Sequence, residues 1–206
     1  MQKITYNSEV LNLLSNIYSM DKEVYAHCVR VGYLVRCICV HMGISKDLAD
    51  KYEVAGLLHD YGKLLVPRRL LNKPGPLTDE EFEKVQNHVD FAKYMMRGNL
   101  ADPVILGAIS SHHENVDGTG YPRGISDVCL GGQLVSVADV YDALTHERAY
   151  KSAFSKEETL AKMKEEIGTK FEEWSVRNLE EIVSQEDFDL DNDCCDKYSK
   201  LFSIAS

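Results

Sequence analysis

Apolar residues recur at intervals of three and four along most of this sequence, and the alternation typical of β-strands is nearly absent. The pattern predicts an all-α fold. A long helix is expected from about Asp21 to Met42, with Asp21 as its N-cap and Gly43 just beyond its end. A second helix is expected from Ser45 to about His59, after a short turn.

Two capping boxes mark further helix starts. Thr78 is followed three residues later by Glu81, and Ser155 is followed three residues later by Glu158. In each pair the hydroxyl and the carboxylate can bond amides of the first turn reciprocally. One helix is therefore expected to begin after Thr78 and another after Ser155.

The stretches between these boundaries differ in character. PRRLLNKPGPL, residues 67–77, contains three prolines and a glycine, which predicts a loop or broken turn. Asp102 followed by Pro103 predicts the start of another helix. Residues 131–147 are apolar nearly all round and predict a buried helix, within which Asp139 is the anomaly.

The charge of the chain is uneven. Its 206 residues carry a net charge of −10, and the segment 155–206, with 7 Lys and Arg against 14 Asp and Glu, contributes −7 of it. An acidic balance argues against general nucleic-acid binding, which needs a basic surface. No apolar run approaches the ~20 residues that cross a bilayer, and no secretory signal is visible at the start. These features predict a cytoplasmic protein.

Histidines and acids supply the candidate chemistry. A buried aspartate is costly unless positive charge faces it, and a cluster of metal ions supplies that charge. Imidazole and carboxylate ligands without thiolate suit iron, manganese or zinc, and two such ions about 3.5 to 4 Å apart are known machinery for phosphate-ester hydrolysis. The open alternative is a scatter of hydrogen-bonded core histidines. The candidate set is Glu23, His27, His59, Asp60, His88, His112, His113 and Asp139.

The order of these residues carries a resemblance to a known family. The relevant segments are His27, HDYGK (59–63), His88, HHENVDGTGYP (112–122) and VADVYDALTHERAYK (137–151). In order, spacing and flanking residues this series resembles the HD-GYP family, a branch of the HD phosphohydrolases.

The resemblance implies an HD-domain helical bundle with a metal centre in its core, a GYP loop and short C-terminal helices. It divides the chain into an N-terminal helix (1–19), the HD-GYP domain (20–171) and a C-terminal helix with an acidic tail (172–206). Two or three transition-metal ions are expected, usually iron or manganese. The implied activity is hydrolysis of cyclic di-GMP to pGpG or GMP by a metal-bridging hydroxide.

The resemblance also implies individual roles. All eight candidate residues are expected to be metal ligands, with Asp60 as the bridge, and Glu23 with His27 matches the pattern that completes a third metal position. His112 and His113 are expected to reach different ions.

Other residues are expected to contact the substrate. Lys63 matches the cation that stabilises transition-state charge beside the bridging hydroxide. Arg148 and Lys151 match residues that grip phosphates. Tyr121 is expected on the rim of the site.

The segment Gly120, Tyr121 and Pro122 is the GYP loop itself. In this family such a loop often meets a diguanylate cyclase (GGDEF) domain, so a cyclase of this kind or a separate sensor protein is the expected partner.

Departures from the family pattern keep the substrate open. Tyr61, Val116 and Gln133 stand where the family usually has isoleucine, an aromatic residue and arginine. The same chemistry fits another cyclic dinucleotide, such as cyclic GMP-AMP. A different kind of protein, a non-catalytic signalling module that binds a nucleotide or a protein, is the second alternative.

Overall fold

The computed structural model describes residues 8–96, 98–147 and 152–202. Within these ranges the regular structure is helical, without β-strands, and two 3₁₀ turns span Tyr61–Leu65 and Gly98–Ala101. No helix in this part of the chain is both long and apolar enough to cross a bilayer. The α-helices are α1 (Ser8–Met20), α2 (Lys22–His41), α3 (Lys46–Leu58), α4 (Arg68–Leu71), α5 (Asp79–Gln86), α6 (His88–Met95), α7 (Pro103–Ser111), α8 (Leu130–Thr145), α9 (Lys156–Glu165), α10 (Glu173–Val183) and α11 (Leu190–Phe202).

The N-cap residues begin their helices where the sequence predicts. The carboxylate of Asp21 accepts hydrogen bonds from two amides in the first turn of α2. Both capping boxes are formed, Thr78 with Glu81 at the start of α5 and Ser155 with Glu158 at the start of α9. These side chains satisfy donors that have no partner within the helix, so they fix the helix starts locally.

Two sequence predictions differ from the structure. The expected loop at residues 67–77 is wrong in its first part, because α4 forms directly after Pro67. Proline presets the backbone for a helix start, and burial of Leu70 anchors the short helix to the core. Helix α8 ends at Thr145, two residues before the expected end at Glu147.

Helix α2 is the centre of the bundle. It packs against α1, α3, α8, α10 and α11, while α7 packs against both α3 and α8. Its buried face includes Val31, Leu34, Val35 and Ile38, none of which is exposed. This arrangement puts the C-terminal end of α3, the end of α7 and the middle of α8 around one side of α2.

The C-terminal helices belong to the same core. Val176 and Leu179 of α10 and Tyr198 of α11 are buried in it, so the segment expected to be an acidic tail forms a packed helix in its described part. The buried carboxylate of Glu53 on α3 accepts hydrogen bonds from Lys197 Nζ and from the Tyr198 hydroxyl. Helix α11 is therefore held by a charge pair as well as by apolar contact.

Replacing Lys197 with methionine is expected to lower the free energy of unfolding by about 3 kcal/mol, because the buried carboxylate of Glu53 would lose its hydrogen-bonded cation, while the Nη1 atom of Arg36 lies 3.7 Å from Oε2. The measurement is urea-induced unfolding followed by circular dichroism. Lys46→Met is the control, since its exposed pair with Asp50 is worth at most about 1 kcal/mol. Equal effects of the two substitutions would contradict a special role for the buried pair.

Candidate metal centre

The candidate ligands come from helix ends that meet beside α2. His59 and Asp60 directly follow α3, and His88 begins α6. His112 and His113 directly follow α7, while Asp139 lies in the middle of α8. Chain segments far apart in sequence therefore supply one compact set of side chains.

Three groups of ligand atoms form within this set. In each group one nitrogen or oxygen atom from every member lies within 4.8 Å of the others, a separation that one metal ion can bridge. The groups are His88 with His112 and His113, His27 with His59 and Asp139, and His59 with Asp60 and His112. The groups share His59 and His112, so they form one continuous centre.

Three of the histidines have their tautomer set by a main-chain carbonyl of the helix that precedes them. In each, ring Nδ1 lies within hydrogen-bond distance of the carbonyl oxygen three residues earlier, and a carbonyl only accepts. Nδ1 therefore carries the proton, and Nε2 presents a lone pair. These Nε2 atoms are buried without a hydrogen-bond partner, which is the state expected of metal ligands. The pairs are His59 with Gly56 (2.8 Å), His88 with Val85 (2.7 Å) and His112 with Ile109 (2.6 Å).

Asp60 faces the histidines with both of its oxygens. Its Oδ1 lies 3.6 Å from His88 Nε2, and its Oδ2 lies 3.4 Å from His59 Nε2. The Oδ2 atom also accepts from Lys63 Nζ at 2.6 Å. Burial alone would raise the pKa of Asp60, but Lys63 and His59 outweigh it and hold the pKa well below its usual value. An ionised carboxylate with its oxygens directed to different histidines fits a bridging ligand.

His27 stands between two carboxylates. Its Nε2 lies 3.1 Å from Asp139 Oδ1, and its Nδ1 lies 2.6 Å from Asp142 Oδ2. Burial alone would lower the pKa of His27, but Asp139 and Asp142 outweigh burial and raise the pKa to about 9. The surroundings thus favour a positive charge at this position, as a metal ion would supply. The residues present fit a cationic centre on this side as well.

The neighbouring histidines His112 and His113 have a different electrostatic state. Their ring centres are 3.9 Å apart. Burial, and for His112 its neighbour His113, lower both pKa values, that of His113 to about 3. Both rings are therefore neutral at pH 7 and available as ligands. They share a group with His88, and His112 also joins His59 and Asp60. Their assignment to different ions stays a prediction.

The GYP loop is held next to the ligand histidines by Glu114. The side chain of Glu114 is fully buried and accepts hydrogen bonds from the backbone amides of Arg123 (2.8 Å) and Ile125 (3.0 Å). One carboxylate thus bonds two main-chain amides that follow Pro122 in the chain.

Gly120 and Tyr121 close the loop against the histidines. A Cβ atom on Gly120 would lie 2.4 Å from the carbonyl oxygen of His113, so only glycine fits this approach. The Tyr121 amide donates to that same carbonyl at 3.0 Å, and its ring centre lies 4.6 Å from that of His113. The Tyr121 ring therefore lies against the ring of His113, and its place on the rim of the site stays a prediction. The Tyr121–Pro122 peptide bond is cis.

Some expected residues do not join the cluster. Glu23 has an exposed side chain and belongs to none of the three groups, so its role as a ligand stays a prediction. Arg148 and Lys151 lie outside the described residues.

The sequence pattern missed other contributors. Glu114, which bonds the loop, and Asp142, which bonds His27, have contacts that their sequence positions do not reveal. Their burial beside the ligands is a tertiary property.

A largely buried set of imidazoles and carboxylates within a bundle of packed helices defines an all-α protein with a candidate metal centre. The family model for the HD domain matches residues 12–173 of this chain. The chain therefore belongs to the HD domain family, in its HD-GYP branch. The all-α prediction and the resemblance are both confirmed.

Curated relatives and a solved structure support this assignment. The cyclic di-GMP phosphodiesterase of Thermotoga maritima is 39% identical over 148 residues, which span 70% of this chain and 40% of that protein. The 3'3'-cGAMP-specific phosphodiesterase 1 of Vibrio cholerae is 30% identical over 158 residues, which span 75% and 37%. The chain thus matches less than half the length of either relative.

The solved structure of Bd1817, a HDG"Y"P protein from Bdellovibrio bacteriovorus, resembles the fold with a TM-score of 0.61. The sequence identity is 24%, and the match covers 77% of this chain and 52% of that one. This similarity supports the helical architecture.

Proposed function

We propose that this chain is a metal-dependent phosphodiesterase that hydrolyses cyclic di-GMP to pGpG, GMP or both. The observation that carries the proposal is the set of buried Nε2 atoms on His59, His88 and His112, which have no hydrogen-bond partner and face the carboxylate of Asp60. The names of the relatives supply the substrate class.

Seven of the eight predicted ligands would hold the ions, and Glu23 would complete a third position on the His27 side. When bound, the ions supply Lewis-acid catalysis and activate the attacking water. Nitrogen and oxygen ligands without thiolate accept iron and manganese alike, and we propose one of these two. The full ligand set is His27, His59, Asp60, His88, His112, His113 and Asp139, with Glu23.

Lys63 is the cation best placed to act on the phosphate. Its Nζ atom bonds Asp60, and its side chain is partly exposed, so it faces both the centre and the open side of the site. Burial lowers its pKa, but Asp60 outweighs this and raises it, so the ammonium form persists at pH 7. Lys63 would stabilise the negative charge that builds on the phosphoryl oxygens during attack.

Arg148 and Lys151 would hold the two phosphates of the ring, by analogy with the family. Tyr121 would form one wall of the entrance. Cleavage at phosphorus releases the 3′ oxygen, giving the linear dinucleotide first and GMP after a second cut.

The second candidate substrate is 3'3'-cGAMP, because a relative specific for it matches over three quarters of this chain. The exposed side of the GYP loop would meet a regulatory partner, either a diguanylate cyclase or a separate sensor. The cytoplasmic location stays a prediction.

The test is metal analysis of the purified protein followed by incubation with cyclic di-GMP and 3'3'-cGAMP in the presence of Fe²⁺ or Mn²⁺. The expected result is linear dinucleotide from at least one of them, abolished by a chelator and restored by added metal. Binding of a cyclic dinucleotide without turnover would instead indicate the non-catalytic signalling module. Absence of stoichiometric metal together with absence of turnover would refute the proposed enzyme.

Replacing Glu23 with alanine is expected to remove about one metal ion per chain while leaving the others. The reason is that Glu23 and His27 are four residues apart on α2 and share a face. Metal content by mass spectrometry measures this. Glu165→Ala, which removes an exposed glutamate on α9, is the control. Unchanged metal content in the Glu23 variant would restrict the centre to two ions.

A further inference from the structure

Asp142 is a buried carboxylate on α8, one turn after Asp139. Its Oδ2 atom accepts from His27 Nδ1 at 2.6 Å. His59, His88 and His112 have Nδ1 bonded to main-chain carbonyls, which no substitution removes. His27 rests on a side chain, so its orientation depends on the identity of residue 142.

We propose that Asp142, held by Arg30, is the positioning residue for His27. The inference rests on the proposed metal centre and names the group that shapes its α2 side. Asp142 would fix the His27 ring so that Nε2 points towards Asp139 and Asp60, and it would keep the Nδ1 proton on the side away from the ions.

Arg30 fixes the carboxylate in turn. Its Nε donates to Asp142 Oδ1 at 2.5 Å, and its Nη2 donates to Oδ2 at 3.1 Å. This two-point contact fixes the plane of the carboxylate as well as its position, which a lysine could not do. The residues on α2 and α8 thus hold each other in a definite relative orientation.

The other groups that face Asp142 complete the charge balance. His146, near the end of α8, has its Nδ1 3.1 Å from Asp142 Oδ1. Asp191 of α11 lies 3.5 Å from His146 Nε2 and 3.9 Å from Arg30 Nη1. His146 is therefore part of this network. Arg30 and the histidines supply the positive charge that keeps the buried Asp142 ionised.

The contacts distinguish positioning from simple stabilisation. An asparagine at 142 keeps the size of the side chain, but its NH₂ group only donates, so one of the two carboxylate oxygens that accept from His27 and Arg30 is lost. The fold retains its apolar core, and the defect falls on the His27 side of the metal centre. We therefore expect a selective loss of metal affinity.

The experiment is titration of the metal-free full chain with Mn²⁺, with free Mn²⁺ quantified by electron paramagnetic resonance and helicity by circular dichroism. Asp142→Asn is expected to weaken one class of Mn²⁺ site by about 10- to 100-fold, with the remaining sites and the helicity unchanged. Arg30→Lys is expected to give a smaller loss at the same site.

The matched control is Arg36→Lys, on the same helix. Arg30 and Arg36 have side chains that are each 16% exposed, and each pairs with an aspartate, but Arg36 pairs with Asp50, away from the ligands. Arg36→Lys should leave Mn²⁺ affinity unchanged. Arg30→Lys also keeps the test open if Asp142→Asn does not fold.

Wild-type Mn²⁺ affinity in both Asp142→Asn and Arg30→Lys would overturn the positioning role. Equal weakening of every site together with lost helicity would overturn it too, because that is the signature of a structural residue. Failure of the proposed function has a different signature, namely wild-type protein that binds Mn²⁺ and hydrolyses neither cyclic dinucleotide.

Discussion

Replacing Asp60 with asparagine is expected to reduce hydrolysis of the cyclic dinucleotide by at least about 10³-fold. The asparagine amide is neutral and has one oxygen where the carboxylate has two. It therefore cannot offer an oxygen ligand on both the His59 side and the His88 side. The substitution also removes the negative charge that Lys63 Nζ faces at 2.6 Å. The rate of product formation and the metal content per chain should fall together.

Asp127→Asn is the control for this substitution, because Asp127 is exposed and lies outside the three ligand groups. It should keep both metal and rate. If Asp60→Asn retained its full metal content and more than a tenth of the wild-type rate, Asp60 would not be a bridging ligand.

Replacing Gly62 with alanine is expected to lower the free energy of unfolding by about 4 kcal/mol or more. A Cβ atom at this position would lie 1.8 Å from the carbonyl oxygen of His88 and 2.7 Å from the amide nitrogen of Ala92. Both are backbone atoms of α6, so no side chain can rotate away. Either α6 moves, taking the ligand His88 with it, or the 3₁₀ turn after Asp60 does.

Thermal and urea unfolding measure this effect, and metal content reports on the displaced ligand. Gly107→Ala in α7 is the control, because a Cβ there meets nothing closer than Cys129 Sγ at 3.9 Å. Alanine should leave that helix as stable or slightly more stable. Equal stability of the two variants would show that α6 adjusts without cost.

Helix boundaries were predictable because local residues decide them. The hydroxyls of Thr78 and Ser155 cap helices using only residues of the next turn, and both predictions are confirmed. The short helix α4 was not predictable from the prolines and glycine of its segment, because its anchor is the burial of Leu70, which is a property of the folded chain. Propensity describes the segment alone, and tertiary burial overrides it.

The same division applies to the site. The ligand histidines could be proposed from order and spacing, since their helices determine where they lie. The contact between Asp142 and His27 joins residues 115 positions apart, so no local pattern contains it. The clearance at Gly62 likewise depends on how closely the 3₁₀ turn approaches α6. The sequence therefore identifies candidate ligands more readily than it identifies the residues that position them.

Glu114 holds the loop through main-chain bonds, so changes to the side chains of the loop and changes to its backbone have different effects. Its carboxylate bonds the main-chain amides of Arg123 and Ile125, so any residue except proline can supply those bonds. The side chain of Arg123 is more than half exposed, although its Nε atom lies 3.6 Å from Glu114 Oε1. Substitutions on the outer surface of this loop are therefore expected to leave the main-chain bonds to Glu114, and the neighbouring histidines, in place.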